Sequence, residues 1–400
     1  MTTVFTGRIR PFAPSTDIEV EAMAVDDATI VAVGSAEEIR RTYPDAKMVA
    51  LDGWVMPGLI EPHGHPGFAA ILLSDLVVDL RPVVVPQAED VLAALRTAVA
   101  EADGEPVFAN GWDSLLQRGL PDPDIRFLDD LAGRVPLVVI HNSGHSVYFN
   151  TAAALAAGID RTTPDPVGAS FGRDAEGELT GVALEAAAVE MVVAPMLATA
   201  QEHLPRILPA HLRDLAARGI YAQIIARHGL TDHRFRLEHC GAMTPAQFER
   251  AASLGFTVSL FVDHITYWGE VLVDDLFGPE HGGAWADAGA AFAAGHRVTF
   301  HNDGWVTPDE PFRNMAVAET RTTRNGYRMP GGSPVTRDQA LLAHTVNAAW
   351  QLFSEHEVGA LAPGLFADFI VVDRDPVTVS SEELAATQVK STYVAGVRVV

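Results

Sequence analysis

Short runs of alternating apolar and polar residues occupy both ends of the chain, and the middle changes to a longer period. Residues 4–9, 19–25 and 28–33 are rich in β-branched side chains and closely spaced, which predicts three strands joined by turns. Residues 54–56 continue the pattern up to Pro57-Gly58. Near the other end, residues 367–372 form a compact apolar run and Asp373-Arg374-Asp375-Pro376 a turn, before residues 391–400 close the chain with more β-rich sequence. One small β domain assembled from both ends accounts for this, as would two separate edge hairpins.

The middle alternates two kinds of element. Residues 88–102, 243–255 and 338–353 have helical spacing, and the second is entered through Thr244-Pro245 and stopped at Gly255. Short apolar runs lie between: 58–60, 136–140, 235–237, 256–262 and 297–300. Helices alternating with such runs predict an α/β fold with a parallel sheet.

Each of the five runs ends in residues able to bind metal or move protons. The clusters are Glu61-Pro62-His63-Gly64-His65, His141-Asn142-Ser143-Gly144-His145, Glu238-His239-Cys240, Asp263-His264 and His301-Asn302-Asp303-Gly304. In a (β/α)8 barrel the C-terminal strand ends converge on one face, where active sites sit, so the five clusters predict one site. His63 and His65 are two apart, and in an extended segment such residues point the same way. Two imidazoles there suit one ion, and zinc accepts imidazole nitrogen and carboxylate oxygen while keeping a position for water. Asp303 can bind metal and take a proton from water. Its alternative role is a turn or helix-capping aspartate. His239 is a further candidate ligand, and otherwise a hydrogen-bonded core histidine. His145, His264 and His301 are candidate substrate contacts. Cys240 reads as a small buried side chain rather than a ligand.

Charge and cysteine content narrow the setting. The 28 basic and 52 acidic residues leave a formal net charge of −24, which disfavours nucleic acid and anionic membrane as partners. A single cysteine excludes an intrachain disulfide. The first ten residues lack a signal-peptide pattern and no apolar run reaches the length of a membrane span. A cytoplasmic location is therefore expected.

Met56-Pro57-Gly58-Leu59-Ile60-Glu61-Pro62-His63-Gly64-His65 resembles the opening barrel strand of the amidohydrolase superfamily, and Pro363-Gly364-Leu365-Phe366-Ala367-Asp368-Phe369 its return into a small β domain. Ser143-Gly144-His145-Ser146, Gly181-Val182-Ala183-Leu184-Glu185, Arg234-Phe235-Arg236-Leu237-Glu238-His239 and Ala343-His344-Thr345 are similar to the family 3 branch, which includes enzymes like N-substituted formamide deformylase. The resemblance implies a (β/α)8 TIM-type barrel over 58–355 and a composite β-sandwich from 1–57 and 356–400. It implies one or two divalent ions, usually zinc, held by His63, His65, His239 and Asp303. It implies hydrolysis of an amide-type C–N bond in a small molecule by metal-activated water, with Asp303 moving the proton. Trp112 would line the pocket, and a homodimer is a family-level expectation.

The pattern breaks between Ile220 and Tyr221. Strands three to five with their helices should lie there, on the order of 100 residues at about 30 per unit. The family's bridging lysine on strand four and histidine on strand five find no match, and Glu185 is the one substitute carboxylate in view. A segment lost from the sequence as given, a true deletion leaving an inactive binding protein, or a single helix over 212–228 in a rearranged fold would each explain the break. A metal-dependent deaminase is the third functional reading.

Overall fold

The structure, a computed structural model, describes residues 2–217, 220–221 and 234–400. It forms two compact units. One comprises Met1–Gly64, Arg213–Asp303 and Asp309–Val400, the other His65–Leu212 and Gly304–Pro308.

In the first unit, strands from both chain ends share one seven-stranded sheet. Its order is Val397–Arg398, Val389–Val394, Phe369–Val372, Lys47–Pro57, Thr3–Ile9, Val20–Asp26, Thr29–Gly34. The period of two divides its side chains between faces. Phe5, Met23, Val55, Phe369 and Tyr393 fill one apolar cluster, with Phe369 and Tyr393 stacked at 4.4 Å. Val4, Ala22 and Ala24 point the other way, against Ile39. Ile39 lies on the helix Ala36–Thr42, capped by Ser35, with Glu37 and Glu38 in its first turn and Arg40 and Arg41 in its last. Those charges complement the helix dipole. Backbone bonds from Ile30 to Leu365 and from Ala367 to Ala28 fold the far edge back, so the sheet wraps its own core.

The same unit holds two short parallel sheets. Arg236–His239, Thr257–Leu260 and Thr299–Phe300 form one. Leu59–Ile60 pairs with Ile220–Tyr221 in the other. Thr257–Leu260 is buried throughout, as expected of a parallel strand covered on both faces. Among the described residues these strands do not close into a barrel. A single helix over 212–228, one of the three explanations of the break at Ile220-Tyr221, does not form. The helix Ala186–Ala217 ends, Ile220–Tyr221 is a strand, and residues 222–228 lie outside the described residues. The helix expected over 338–353 divides into Arg337–Ala343 and Val346–Gln351, because Thr345 takes φ −133° and ψ −99°. The helix over 243–255 forms as Pro245–Ser253 behind a reciprocal Thr244–Gln247 capping box.

The second unit is a six-stranded mixed sheet. Val78–Asp79, Val107–Trp112 and Leu137–His141 run parallel; Ser146–Phe149, Leu179–Leu184 and Ser170–Arg173 continue it antiparallel. Leu80, Val91, Leu95, Leu128 and Val139 form its core with the helices Ala88–Glu101 and Ile125–Ala132. Run 136–140, expected as a barrel strand beside the others, therefore belongs to a separate sheet. Apolar content alone could not tell the two apart. No helix of the described residues is long and apolar enough to cross a membrane.

Candidate metal centre

Three imidazoles of the first unit meet at the strand ends. His63 follows Leu59–Ile60, His239 ends Arg236–His239, and His301 follows Thr299–Phe300; one ring nitrogen of each lies within 4.8 Å of the others. His239 Nδ1 and His301 Nε2 are 2.9 Å apart. His63 Nε2 lies 3.1 Å from Asp303 Oδ1, and His63 Nδ1 lies 3.4 Å from Glu238 Oε2. Ser259 Oγ is 2.8 Å from His301 Nδ1.

Backbone geometry makes this convergence happen. In a regular strand His239 would project opposite to its neighbour Glu238. His239 instead has φ 63°, and both residues reach His63. Asp303 has φ 53°. Left-handed conformations are disfavoured for such side chains by about 1–2 kcal/mol and persist where the surroundings enforce them, often at functional sites. Here the surroundings are polar and buried. Asn302 donates Nδ2 to Glu61 Oε2 at 2.7 Å, and Asn314 donates Nδ2 to the His301 carbonyl at 3.0 Å.

Burial sets the protonation states. It holds the His301 imidazole well below its ordinary pKa, with the neighbouring His63 and His239 pushing the same way. His264 is pulled down to about 3, again by burial first and His239 next. Neutral imidazole is the form that binds a cation. Burial, then the Asp309 carboxylate, raises Glu61 well above the usual range. Three imidazole nitrogens beside a carboxylate form a donor set that fits a divalent cation such as zinc. A bridging carboxylated lysine has no source. The chain has two lysines, Lys47 and Lys390, and both belong to the seven-stranded sheet.

Of the residues marked from sequence, His63, His239 and Asp303 come together. His301, expected to touch substrate, stands among the imidazoles instead. His264 lies 4.2 Å from Phe261 between ring centroids, with its Nδ1 unpartnered among the described residues. Phe261 in turn stacks on His301 at 5.4 Å. Cys240 is buried, and burial followed by Glu238 pushes its thiol up to about 12, so it stays a thiol. His65 opens the second unit, at the N-cap of the helix Pro66–Leu72 and 4.9 Å from Trp305. His145 and Glu185 are also in that unit, exposed and paired at 3.2 Å. Glu185, the substitute carboxylate in view from sequence, sits at φ 67° just before the helix Ala186–Ala217. Trp112, expected to line a pocket, is wholly buried in the second unit's core. Glu238 and Asn302 stand in the strand-end clusters of the sequence but carry no role there, and Ser259 is outside them. The signal for Ser259 was its hydroxyl at the centre of a short buried strand, two residues from Thr257.

A sequence profile of the amidohydrolase family matches residues 50–226 and 221–400. The chain belongs to the amidohydrolase family. A profile of a bacterial imidazolonepropionase-like composite domain also matches residues 22–46. N-substituted formamide deformylase of Arthrobacter pascens is 24% identical, over 94% of each protein. That alignment runs to 512 positions but takes in 94% of only 400 residues, so over a hundred of its positions have no counterpart in this amidohydrolase. YtcJ of Bacillus subtilis (strain 168) is 28% identical over 205 residues, half of this chain and 38% of YtcJ. Among solved structures, an uncharacterized metal-dependent hydrolase from Pyrococcus horikoshii OT3 shares the fold. Its TM-score is 0.65 at 17% identity, covering 96% of this chain and 99% of that one.

Proposed function

We propose that this amidohydrolase hydrolyses an amide-type C–N bond in a small N-acyl, N-formyl or cyclic amide, using one divalent cation, zinc by its donor set. The observation that carries the reading is the convergence of His63, His239 and His301 beside Asp303 in a chain of this family. The family resemblance adds His65, two residues along from His63, to the proposed ligands. A bound cation supplies Lewis acidity and makes water acidic enough to attack at neutral pH. His63, His239 and His301 would hold it. The Asp303 carboxylate, 3.1 Å from His63 Nε2, would accept the attacking water's proton and return it to the departing amine. His264, whose Nδ1 has no hydrogen-bond partner among the described residues, is the proposed substrate contact, and Phe261 shields that side from water.

We also propose that the short parallel strands of the first unit belong to a (β/α)8-type barrel over 58–355 that is short of about three βα units near Ile220-Tyr221. Its parallel strands, the family match in two segments meeting at 221–226 and the surplus alignment positions support this. A cytoplasmic location goes with the single cysteine and the charge of −24. A second reading, an inactive binding protein, is favoured by the absence of any lysine outside the seven-stranded sheet.

The test is amine release from a panel of N-formyl, N-acyl and cyclic amides by the zinc-loaded full chain. Release should vanish with a chelator, return with zinc, and be absent from the His63→Ala/His65→Ala variant. Full activity in that variant refutes the hydrolase reading. Bound zinc without any turnover supports the inactive one. Ammonia from amino-substituted pyrimidines or triazines would mark a deaminase.

A further inference from the structure

We propose that Glu238 is a positioning residue that fixes His63 as a metal ligand, and that Arg236 locks Glu238 in place. The inference rests on the metal-centre reading above and names residues that reading does not use.

The centre is divided between two sheets. His63 follows a strand paired only with Ile220–Tyr221, whereas His239 and His301 belong to the three-stranded sheet; among the described residues no backbone ladder joins the two. Something else must hold His63 in register with its partners. Arg236 and Glu238, two apart on one strand, project from the same face and do so. Arg236 Nε donates to Glu238 Oε1 at 2.5 Å, and its Nη2 donates to the Pro62 carbonyl at 3.0 Å, directly before His63. Glu238 Oε2 then faces His63 Nδ1 at 3.4 Å. The circuit runs from main chain to guanidinium to carboxylate to imidazole, and returns to the adjoining main chain.

The same rung of the sheet does this twice. Glu238 lies opposite Ser259 in the ladder. Glu238 meets Nδ1 of His63, and Ser259 meets Nδ1 of His301 at 2.8 Å. Ser259 Oγ is at hydrogen-bond distance from His301 Nδ1, whereas Glu238 Oε2 stands at ion-pair distance and has no hydrogen-bond partner among the described residues; an oxygen at Nδ1 favours the tautomer that leaves the Nε2 lone pair free for a cation. On His63, Nε2 is the atom that faces Asp303. Nδ1 contacts of this kind typically change metal affinity by about 10–100-fold.

The experiment compares the full wild-type chain with Glu238→Gln and Glu238→Ala. Zinc affinity is read by competition with a chromophoric chelator, the ligand set by the absorption of bound cobalt(II), and folding by thermal unfolding without metal. Glu238→Ala should bind zinc about 10–100-fold more weakly. Glu238→Gln keeps an oxygen for the imidazole N–H and should fall between. The cobalt spectrum should keep its shape, and Glu238→Gln should unfold like wild type. Wild-type affinity in Glu238→Ala overturns the inference and leaves the metal centre standing. A changed cobalt spectrum makes Glu238 itself a ligand and overturns the positioning role. Weak binding only in a destabilised Glu238→Ala, with Glu238→Gln at wild-type affinity, makes the residue a fold contact and overturns it too. A wild-type chain that binds no zinc removes the metal centre and the inference together.

Discussion

His344 makes folding of this amidohydrolase sensitive to acid, and replacing it by leucine should remove that sensitivity. Its side chain is wholly buried between the helices Arg337–Ala343 and Val346–Gln351, edge-on to Phe300 at 5.9 Å. Neither ring nitrogen has a hydrogen-bond partner among the described residues. Burial therefore lowers the imidazole from 6.5 to about 4. Above pH 6.5 both folded and unfolded chains carry it neutral, and the full stability is present. As the pH falls the unfolded chain takes the proton first, so stability is lost down to the folded value near 4. At about 1.4 kcal/mol per unit, the whole loss is about 3 kcal/mol, of which about 2 kcal/mol has gone by pH 5. Urea unfolding of wild type and His344→Leu at pH 7.5 and pH 5 isolates this residue. The variant should lose about 2 kcal/mol less than wild type between the two. At pH 7.5 it should differ by no more than about 1 kcal/mol, because no hydrogen bond is given up. The His344 carbonyl, which accepts from Ile60 at 2.8 Å, is kept by the substitution. Equal acid losses in the two proteins would refute the reasoning.

Three other expectations follow from single residues. Arg321, buried at a helix end with φ 51°, donates to the carbonyls of Gly331, Ala286, Gly283 and Trp285. Arg321→Met should destabilise by about 3–5 kcal/mol in urea unfolding at pH 7.5, and a loss under about 1 kcal/mol would count against it. Ser259→Ala removes the oxygen 2.8 Å from His301 Nδ1. Zinc affinity should fall by at least about 10-fold, and a chelator competition showing no change would contradict the orientation of His301 by that hydroxyl. Cys240 is buried and raised to about 12, so iodoacetamide at pH 8 should label it slowly in the folded protein and rapidly in urea, read by intact mass. Rapid labelling of the folded chain would show the thiol to be accessible.

Local periodicity and turn chemistry are properties of neighbouring residues, and those features were legible from sequence. Alternation at both ends predicted strands that form as Thr3–Ile9, Val20–Asp26, Thr29–Gly34 and Phe369–Val372. Thr244-Pro245 marked a helix start, and the histidine and aspartate clusters at strand ends marked His63, His239 and Asp303. Which strands share a sheet depends on contacts between distant segments, and only the tertiary structure decided it. Run 136–140 is as apolar as run 256–262, yet it joins the second unit and takes His141 and His145 with it. His301 became part of the imidazole cluster because Thr299–Phe300 pairs with Thr257–Leu260, two strands along from His239. His239 and Glu238 both reach His63 because the backbone at 239 leaves the strand conformation. Residue types and spacing decided which chemistry the chain carries. Pairing across tens to hundreds of residues decided which of those side chains stand close enough to use it.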